Sequence, residues 1–173
     1  MSRDAHLESH NSWMDANGKN VKTQWAASSF LAVIADRARR IACIGHFDSA
    51  FEEADMTDGK RAGNPVLLEY LAHAVETVGT GKDVDLRIHG GGVLTERTIA
   101  GEEVAMLNEA AIDAEVRKIV EQERAYFVEF FRAAGYRQKQ MRIVWAEDNT
   151  MTKLTYHTDT GEIEMKTKSC MEE

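Results

Sequence analysis

The chain has 173 residues, with 21 basic and 29 acidic side chains and a formal net charge of -8. That length is sufficient for one hydrophobic core without a disulfide or a structural metal. The negative balance argues against direct nucleic acid binding, because the summed charge repels a phosphate backbone.

The sequence carries no sign of export or of membrane insertion. The polar first 20 residues lack the apolar core of a secretory signal, and no apolar run reaches the length of a membrane span. The two cysteines, Cys43 and Cys170, lie far apart and do not suggest a disulfide scaffold. We therefore expect a cytoplasmic protein with no membrane partner.

In the first half of the chain the pattern predicts helices. Residues 1–20 are expected to be a flexible segment, followed by a single domain over residues 21–168 and a tail over 169–173. Apolar residues recur at helical spacing from Thr23 to Ile44, which predicts an amphipathic helix ended by Gly45.

Two further helices follow in the prediction. A capping-box pattern at Ser49 predicts a short helix before the charged loop Asp55 to Gly63. Asn64 precedes the only proline, Pro65, in the arrangement typical of a helix start. This predicts a helix from Pro65 to about Val78.

The second half combines strands with one long helix. Strict alternation from Asp83 to His89 predicts a half-buried strand, which returns through the following glycines as a second strand over Val93 to Ile99. The stretch from Gly101 to Gly135 predicts a long helix, either continuous or broken near Asn108 or Asp113, with Gly135 as the residue that ends it. The remainder predicts a three-stranded meander: Met141 to Glu147, Thr152 to Thr158 and Glu162 to Lys168.

This order predicts an α+β fold. N-terminal helices, a β-hairpin, one long helix and a C-terminal three-stranded meander would form a mostly antiparallel sheet packed on helices. Fold class alone does not indicate function.

The segment from His89 to Gly92 has two interpretations. An HGGG-type segment contributes to the oxyanion hole of lipases and esterases, but that reading needs a G-x-S-x-G elbow, which the sequence lacks. The favoured interpretation is a hairpin turn in which the glycines adopt positive φ angles.

Glu123 is the leading catalytic candidate. It falls within the apolar stripe of the long helix, where partial desolvation would raise its pKa and suit it to acid or base chemistry. His89 and His157 are candidate partners across the sheet. Alternatively, Glu123 lies at the edge of the stripe and pairs with an arginine or reaches solvent.

No metal or cofactor is expected. His73 and Glu76 share a helix face, but a matching Glu-x-x-His on another helix is absent. The predicted roles of Cys43 and His46 are structural, the first as a small buried hydrophobe and the second as a helix cap.

Partner binding is the leading functional hypothesis. Trp13 lies in the polar N-terminal segment, where it either packs on the domain or is offered to another chain. The acidic residues expected to meet a basic partner surface are Glu102, Glu103, Glu109, Asp113 and Glu115. The sequence thus favours an acidic protein-binding module of inhibitor, immunity, antidefence or chaperone type.

The competing hypothesis is a small enzyme or ligand-binding domain. Its pocket would lie between the sheet and the long helix, made polar by Glu123 and a histidine. The expected lining residues are Tyr126, Phe127, Trp145 and Tyr156. A homodimer is compatible with either hypothesis.

Overall fold

The computed structural model describes residues 4–52, 62–94 and 109–170, with the backbone alone for residues 109–113. This part of the chain contains two α-helices, α1 (Pro65–Thr77) and α2 (Glu109–Ala133), and a short 3-10 helix (Gln138–Gln140). It also contains nine strands: β1 (Asp4–His6), β2 (Ser12–Asp15), β3 (Asn20–Lys22), β4 (Phe30–Asp36), β5 (Ile41–Phe47), β6 (Val84–Gly90), β7 (Met141–Trp145), β8 (Thr150–His157) and β9 (Glu162–Ser169).

The strands form two mixed sheets. The four-stranded sheet has the order β1-β3-β8-β9, and the five-stranded sheet has the order β2-β5-β4-β6-β7. The pairs β1/β3 and β6/β7 are parallel, and the other pairs are antiparallel. The protein is therefore a sheet-dominated mixture of strands and helices.

The five-stranded sheet is the central layer, and its strands β4 and β5 are buried on both faces. On one face, Phe30 and Ile34 pack with Tyr70 of α1 and with aromatic side chains of α2. On the other face, Leu31 and Val33 pack with Tyr156 of the four-stranded sheet. Successive strand residues point to opposite faces, so we call these the helix face and the inter-sheet face.

The helix predicted from Thr23 to Ile44 is wrong, because this stretch contains the antiparallel pair β4/β5. All seven residues of β4 are buried, since each face of the strand is covered. A strand of this kind is a continuous apolar run without alternation, and such a run also satisfies helical spacing. The four-residue turn between the strands is fixed at Asp36, whose carboxylate accepts hydrogen bonds from the backbone N–H and Nε of Arg39.

The predicted C-terminal meander and β-hairpin are also wrong. β7 leaves the other two C-terminal strands and pairs with β6 in the five-stranded sheet, whereas β8 and β9 form the predicted antiparallel pair. The β6/β7 pair is parallel because α2 lies between the two strands in the chain, as a crossover connection requires. Residues 91–94 form no strand, and the rest of the predicted return strand lies outside the described residues.

Other predicted elements are confirmed. Asn64 accepts a hydrogen bond from the Val66 N–H at 3.0 Å and α1 begins at Pro65. β6 covers the predicted alternating strand. α2 runs through Asp113 without a break and ends before Gly135, which has φ +112°; the start of this helix at Gly101 and the break at Asn108 lie outside the described residues.

The structure differs from the prediction at two places in the N-terminal part of the chain. The segment expected to be flexible contains β1 and β2, one in each sheet. No helix begins at Ser49; instead, Phe51 forms an isolated bridge with Gly63. Most of the predicted charged loop lies outside the described residues.

Candidate functional site

A buried serine and a buried histidine contact each other on the inter-sheet face. Ser29 directly precedes β4, and His46 lies in β5 opposite Leu31. Alternation places Ser29 on the same inter-sheet face as Leu31, and Ser29 Oγ lies 2.7 Å from His46 Nε2. Ser29 is 9% exposed and His46 is 0% exposed, so the hydrogen bond between them is buried.

His46 is an electrically neutral base at physiological pH. Burial, with a smaller contribution from His10, lowers the pKa of His46 to about 4. His10 packs the edge of its ring on His46 at a centroid distance of 4.5 Å. In the tautomer with its proton on Nδ1, the His46 Nε2 accepts a hydrogen bond from the Ser29 hydroxyl.

In the described part of the chain, this pair lacks the third member of a catalytic triad. Among the described residues, His46 Nδ1 is buried without a hydrogen-bond partner. Ser29 and His46 thus form a dyad in the part of the chain that the structure describes.

The glycine segment fixes the backbone beside Ser29. The Gly91 N–H donates to the Ser29 carbonyl at 2.8 Å, and the Gly92 N–H donates to the Ala27 carbonyl at 2.9 Å. A Cβ atom on Gly90 would lie 2.4 Å from the Ser29 carbonyl oxygen. These glycines permit close approach of two backbone segments, and their occupied N–H groups position the serine instead of forming an oxyanion hole.

Helix α2 supports the same segment from the other side. The Arg124 Nε donates to the Gly91 carbonyl at 2.8 Å, and the guanidinium lies over the Trp145 ring at 5.2 Å. Arg124 thereby connects α2 to the backbone that holds Ser29.

His89 lies on the same sheet face but does not join the pair. Its register partner is Leu31, which separates it from His46 by one strand, or roughly 10 Å across the sheet. His89 is 2% exposed, and neither ring nitrogen has a partner within residues 4–52, 62–94 and 109–170. Burial, and to a lesser extent Arg87, lowers the pKa of His89 to about 4.

The three catalytic candidates from the sequence do not converge. Glu123 is half-buried in the helix layer and accepts a hydrogen bond from Ser49 Oγ at 3.2 Å. His89 lies on the opposite face of the five-stranded sheet, and His157 pairs with Glu164 at 3.1 Å in the four-stranded sheet. A pair of Glu123 with either histidine does not form.

The expected pocket lining is likewise dispersed. Trp145 lines an open groove of about 510 Å³ between α2 and β7. Phe127 is fully buried in the helix-face core, and Tyr156 belongs to the inter-sheet core. Tyr126 is exposed and packs on Phe51 at a centroid distance of 4.9 Å.

The residues predicted to bind a partner are only partly described. Glu102 and Glu103 lie outside the described residues, and Glu109 and Asp113 are described by their backbone alone. Glu115 is exposed on α2.

Trp13 is not offered to solvent. It is half-buried, with its ring 4.6 Å from the His73 ring and 6.2 Å from the Tyr70 ring. It therefore packs on the domain, which is one of the two roles expected for it.

A second polar cluster lies on the helix face of the same strand. Asp15, Cys43 and His73 place one potential metal-ligand atom each within 4.8 Å of one another. Burial, with the hydrogen bond to Asp15, raises the pKa of the Cys43 thiol to about 12. The thiol is therefore protonated at neutral pH, which excludes it as a free nucleophile.

Sequence reasoning missed the Ser29–His46 pair because it assigned β4 and β5 to one helix. The signal that could have found the pair is the turn at residues 37–40. A hairpin centred there places position 31 opposite position 46, as observed, and so brings Ser29 diagonally close to His46.

No protein-family model matches the sequence, and no curated protein is significantly similar to it. The crystal structure of the hypothetical protein YfiH from Bacillus licheniformis is similar in part, with 11% sequence identity and a TM-score of 0.36. The alignment covers 73% of this chain and 47% of that chain, so the present chain spans about half the length of that protein.

In the described residues, neither helix combines the length and apolar character needed to cross a membrane.

Proposed function

We propose that this protein is an enzyme that transfers acyl groups from esters or amides, with Ser29 as the nucleophile and His46 as the general base. The observation that carries the proposal is the 2.7 Å contact between Ser29 Oγ and the neutral His46 Nε2. A serine hydroxyl is a weak nucleophile unless an adjacent base accepts its proton.

The reaction would follow in two steps. Ser29 Oγ attacks the substrate carbonyl carbon while its proton moves to His46 Nε2, and the tetrahedral intermediate collapses to an acyl-serine as His46 returns the proton to the leaving group. Water then attacks the acyl-serine with His46 again as the base, which releases the acid and restores the hydroxyl.

One feature of the surroundings supports this role. The Gly91 N–H donates to the Ser29 carbonyl at 2.8 Å, which holds the backbone of the nucleophile beside His46. The low pKa of His46 leaves the imidazole neutral at pH 7 but makes it a weaker base than an ordinary histidine.

The test is covalent labelling with a fluorophosphonate, which reacts with activated serine hydroxyls. We expect one adduct per chain on Ser29, located by peptide mass spectrometry, and no adduct in Ser29→Ala. Ser28→Ala is the matched control, because Ser28 is the neighbouring residue and is exposed. Loss of labelling in Ser28→Ala but not in Ser29→Ala, or labelling spread over several serines, would contradict the proposal.

The protein-binding hypothesis stays a prediction. Four of the five acidic side chains on which it depends are not described in the structure, so their arrangement provides no further support.

A further inference from the structure

Three side chains with metal-binding chemistry meet on the helix face of the five-stranded sheet. Asp15 at the end of β2 is the register partner of Cys43 in β5, so the two side chains are direct cross-strand neighbours. α1 packs on this face, and His73 Nε2 lies 2.9 Å from each Asp15 carboxylate oxygen.

The spacing of the donor atoms suits a tetrahedral cation. Bond lengths of Zn²⁺ to sulfur, nitrogen and oxygen place neighbouring ligand atoms about 3.3–3.6 Å apart at tetrahedral angles. Cys43 Sγ lies 3.0 Å from Asp15 Oδ1, and the three ligand atoms all lie within 4.8 Å of one another. Shifts of roughly an ångström or less would therefore convert the hydrogen-bonded cluster into a coordination sphere.

The surroundings orient the ligands and leave one side accessible. The Trp13 ring packs at a tilt on the His73 ring at a centroid distance of 4.6 Å, which restricts rotation of the imidazole. The His73 and Asp15 side chains are 29% and 33% exposed, whereas Cys43 is buried. Three protein ligands with one open side form the pattern of a zinc site in which a water completes the sphere.

We propose that Asp15, Cys43 and His73 form a binding site for a divalent cation of the zinc type. The Cys43 thiol releases its proton when the metal–sulfur bond forms, and the neutral imidazole binds through Nε2. The thiolate and the Asp15 carboxylate then balance the two positive charges. A ligand set of one sulfur, one nitrogen and one oxygen favours Zn²⁺ over Mg²⁺ or Ca²⁺, which prefer oxygen ligands alone.

This site is independent of the Ser29–His46 pair, because the two lie on opposite faces of β5. The metal would connect β2, β5 and α1, and it would bind to the folded protein in preference to the unfolded chain. Binding should therefore raise the melting temperature in proportion to the logarithm of the metal concentration.

The test uses Co²⁺ as a spectroscopic substitute for Zn²⁺ in full-length protein freed of metal with a chelator. We expect one equivalent of Co²⁺ to produce a thiolate-to-cobalt charge-transfer band that Zn²⁺ abolishes by competition. Cys43→Ser should lose the band, whereas Cys170→Ser, which removes the other free cysteine, should retain it. Asp15→Asn and His73→Gln should each weaken Co²⁺ binding by at least about tenfold.

Circular dichroism of each variant in the presence of chelator shows whether the metal-free protein is folded. A variant that is folded but gives no Co²⁺ band has lost metal binding alone. Should Cys43→Ser fail to fold, the partly exposed Asp15→Asn and His73→Gln variants carry the test. The proposal is overturned if folded wild-type protein gives no charge-transfer band, or if the band disappears in Cys170→Ser. Unchanged Co²⁺ affinity in both Asp15→Asn and His73→Gln would also overturn it.

Discussion

The two faces of β5 hold polar groups in opposite ways. On the helix face, Cys43 donates to Asp15, which also contacts His73, so this cluster is hydrogen-bonded and contains a carboxylate. On the inter-sheet face, His46 has one partner, Ser29, and among the described residues its Nδ1 has none. Both clusters are anchored in one strand, and a different layer covers each.

The difference shows how the covering layer determines the chemistry. Under α1 the cluster combines ligand atoms of three kinds with an open side, which suits a cation. Between the sheets the apolar surroundings favour neutral imidazole, and proton transfer from a serine becomes the available chemistry. The predictions below test this contrast, from the largest expected effect to the smallest.

Acid should destabilise the protein through the inter-sheet histidines. The unfolded pKa of histidine is about 6.5, and the folded pKa is about 4 for both His46 and His89. As pH falls from 7.5 to 5, the unfolded chain therefore binds protons that the folded protein does not. The free energy of unfolding should fall by roughly 2 kcal/mol for each histidine in urea unfolding experiments.

A variant separates the two contributions. His89→Leu should remove about half of this pH dependence, because His46 alone then carries it. Carboxylates are mostly ionised between pH 7.5 and 5, so they contribute little to the change in unfolding free energy over this range. An unfolding free energy that stays constant between pH 7.5 and 5 would show that these imidazoles are not buried in the neutral form.

Substitution at the glycine segment should disturb the Ser29 backbone. Gly90→Ala introduces a methyl group 2.4 Å from the Ser29 carbonyl at a residue with φ +82°, so we expect a loss of at least about 2 kcal/mol in the free energy of unfolding. Gly79→Ala is the matched control, because Gly79 has φ +93° and open space around it. That variant should show backbone strain alone, about 1 kcal/mol; equal losses in the two variants would contradict the close approach at Ser29.

Two tyrosines compare hydrogen bonding in the two cores. The Tyr70 hydroxyl donates to the Cys43 carbonyl at 2.9 Å, so Tyr70→Phe should lower the free energy of unfolding by about 1 kcal/mol. The buried Tyr156 hydroxyl has no partner in the described part of the chain, so Tyr156→Phe should be neutral or stabilising by a similar amount. Urea unfolding at pH 7.5 measures both, and the same sign for the two variants would argue against the contrast.

Two local signals in the sequence predicted local structure correctly, whereas the capping-box pattern at Ser49 did not. The Asn64 cap and Pro65 located the start of α1, and alternation located β6. The central strands escaped prediction for a physical reason: burial on both faces removes the alternation that identifies a strand. Once β4 and β5 were interpreted as one helix, neither the sheet order nor the layers could follow.

The two candidate sites depend on contacts between residues far apart in the sequence, which local sequence patterns do not indicate. Ser29 and His46 are 17 residues apart and meet only through the β4/β5 register. Asp15, Cys43 and His73 come from three separate elements. Glu123 stood out because it interrupts an apolar stripe, but the stripe itself does not indicate what lies opposite, which is Ser49.

The rate of fluorophosphonate labelling at pH 7 in His46→Gln, compared with the wild type and with Ser28→Ala, tests the central claim most directly. Glutamine can still contact Ser29 but cannot act as a general base, so the account predicts labelling slower by roughly 10²–10⁴-fold, with Ser28→Ala close to the wild type. Circular dichroism should show that all three proteins are folded. Labelling of Ser29 at the wild-type rate in folded His46→Gln would contradict the assignment of His46 as the base.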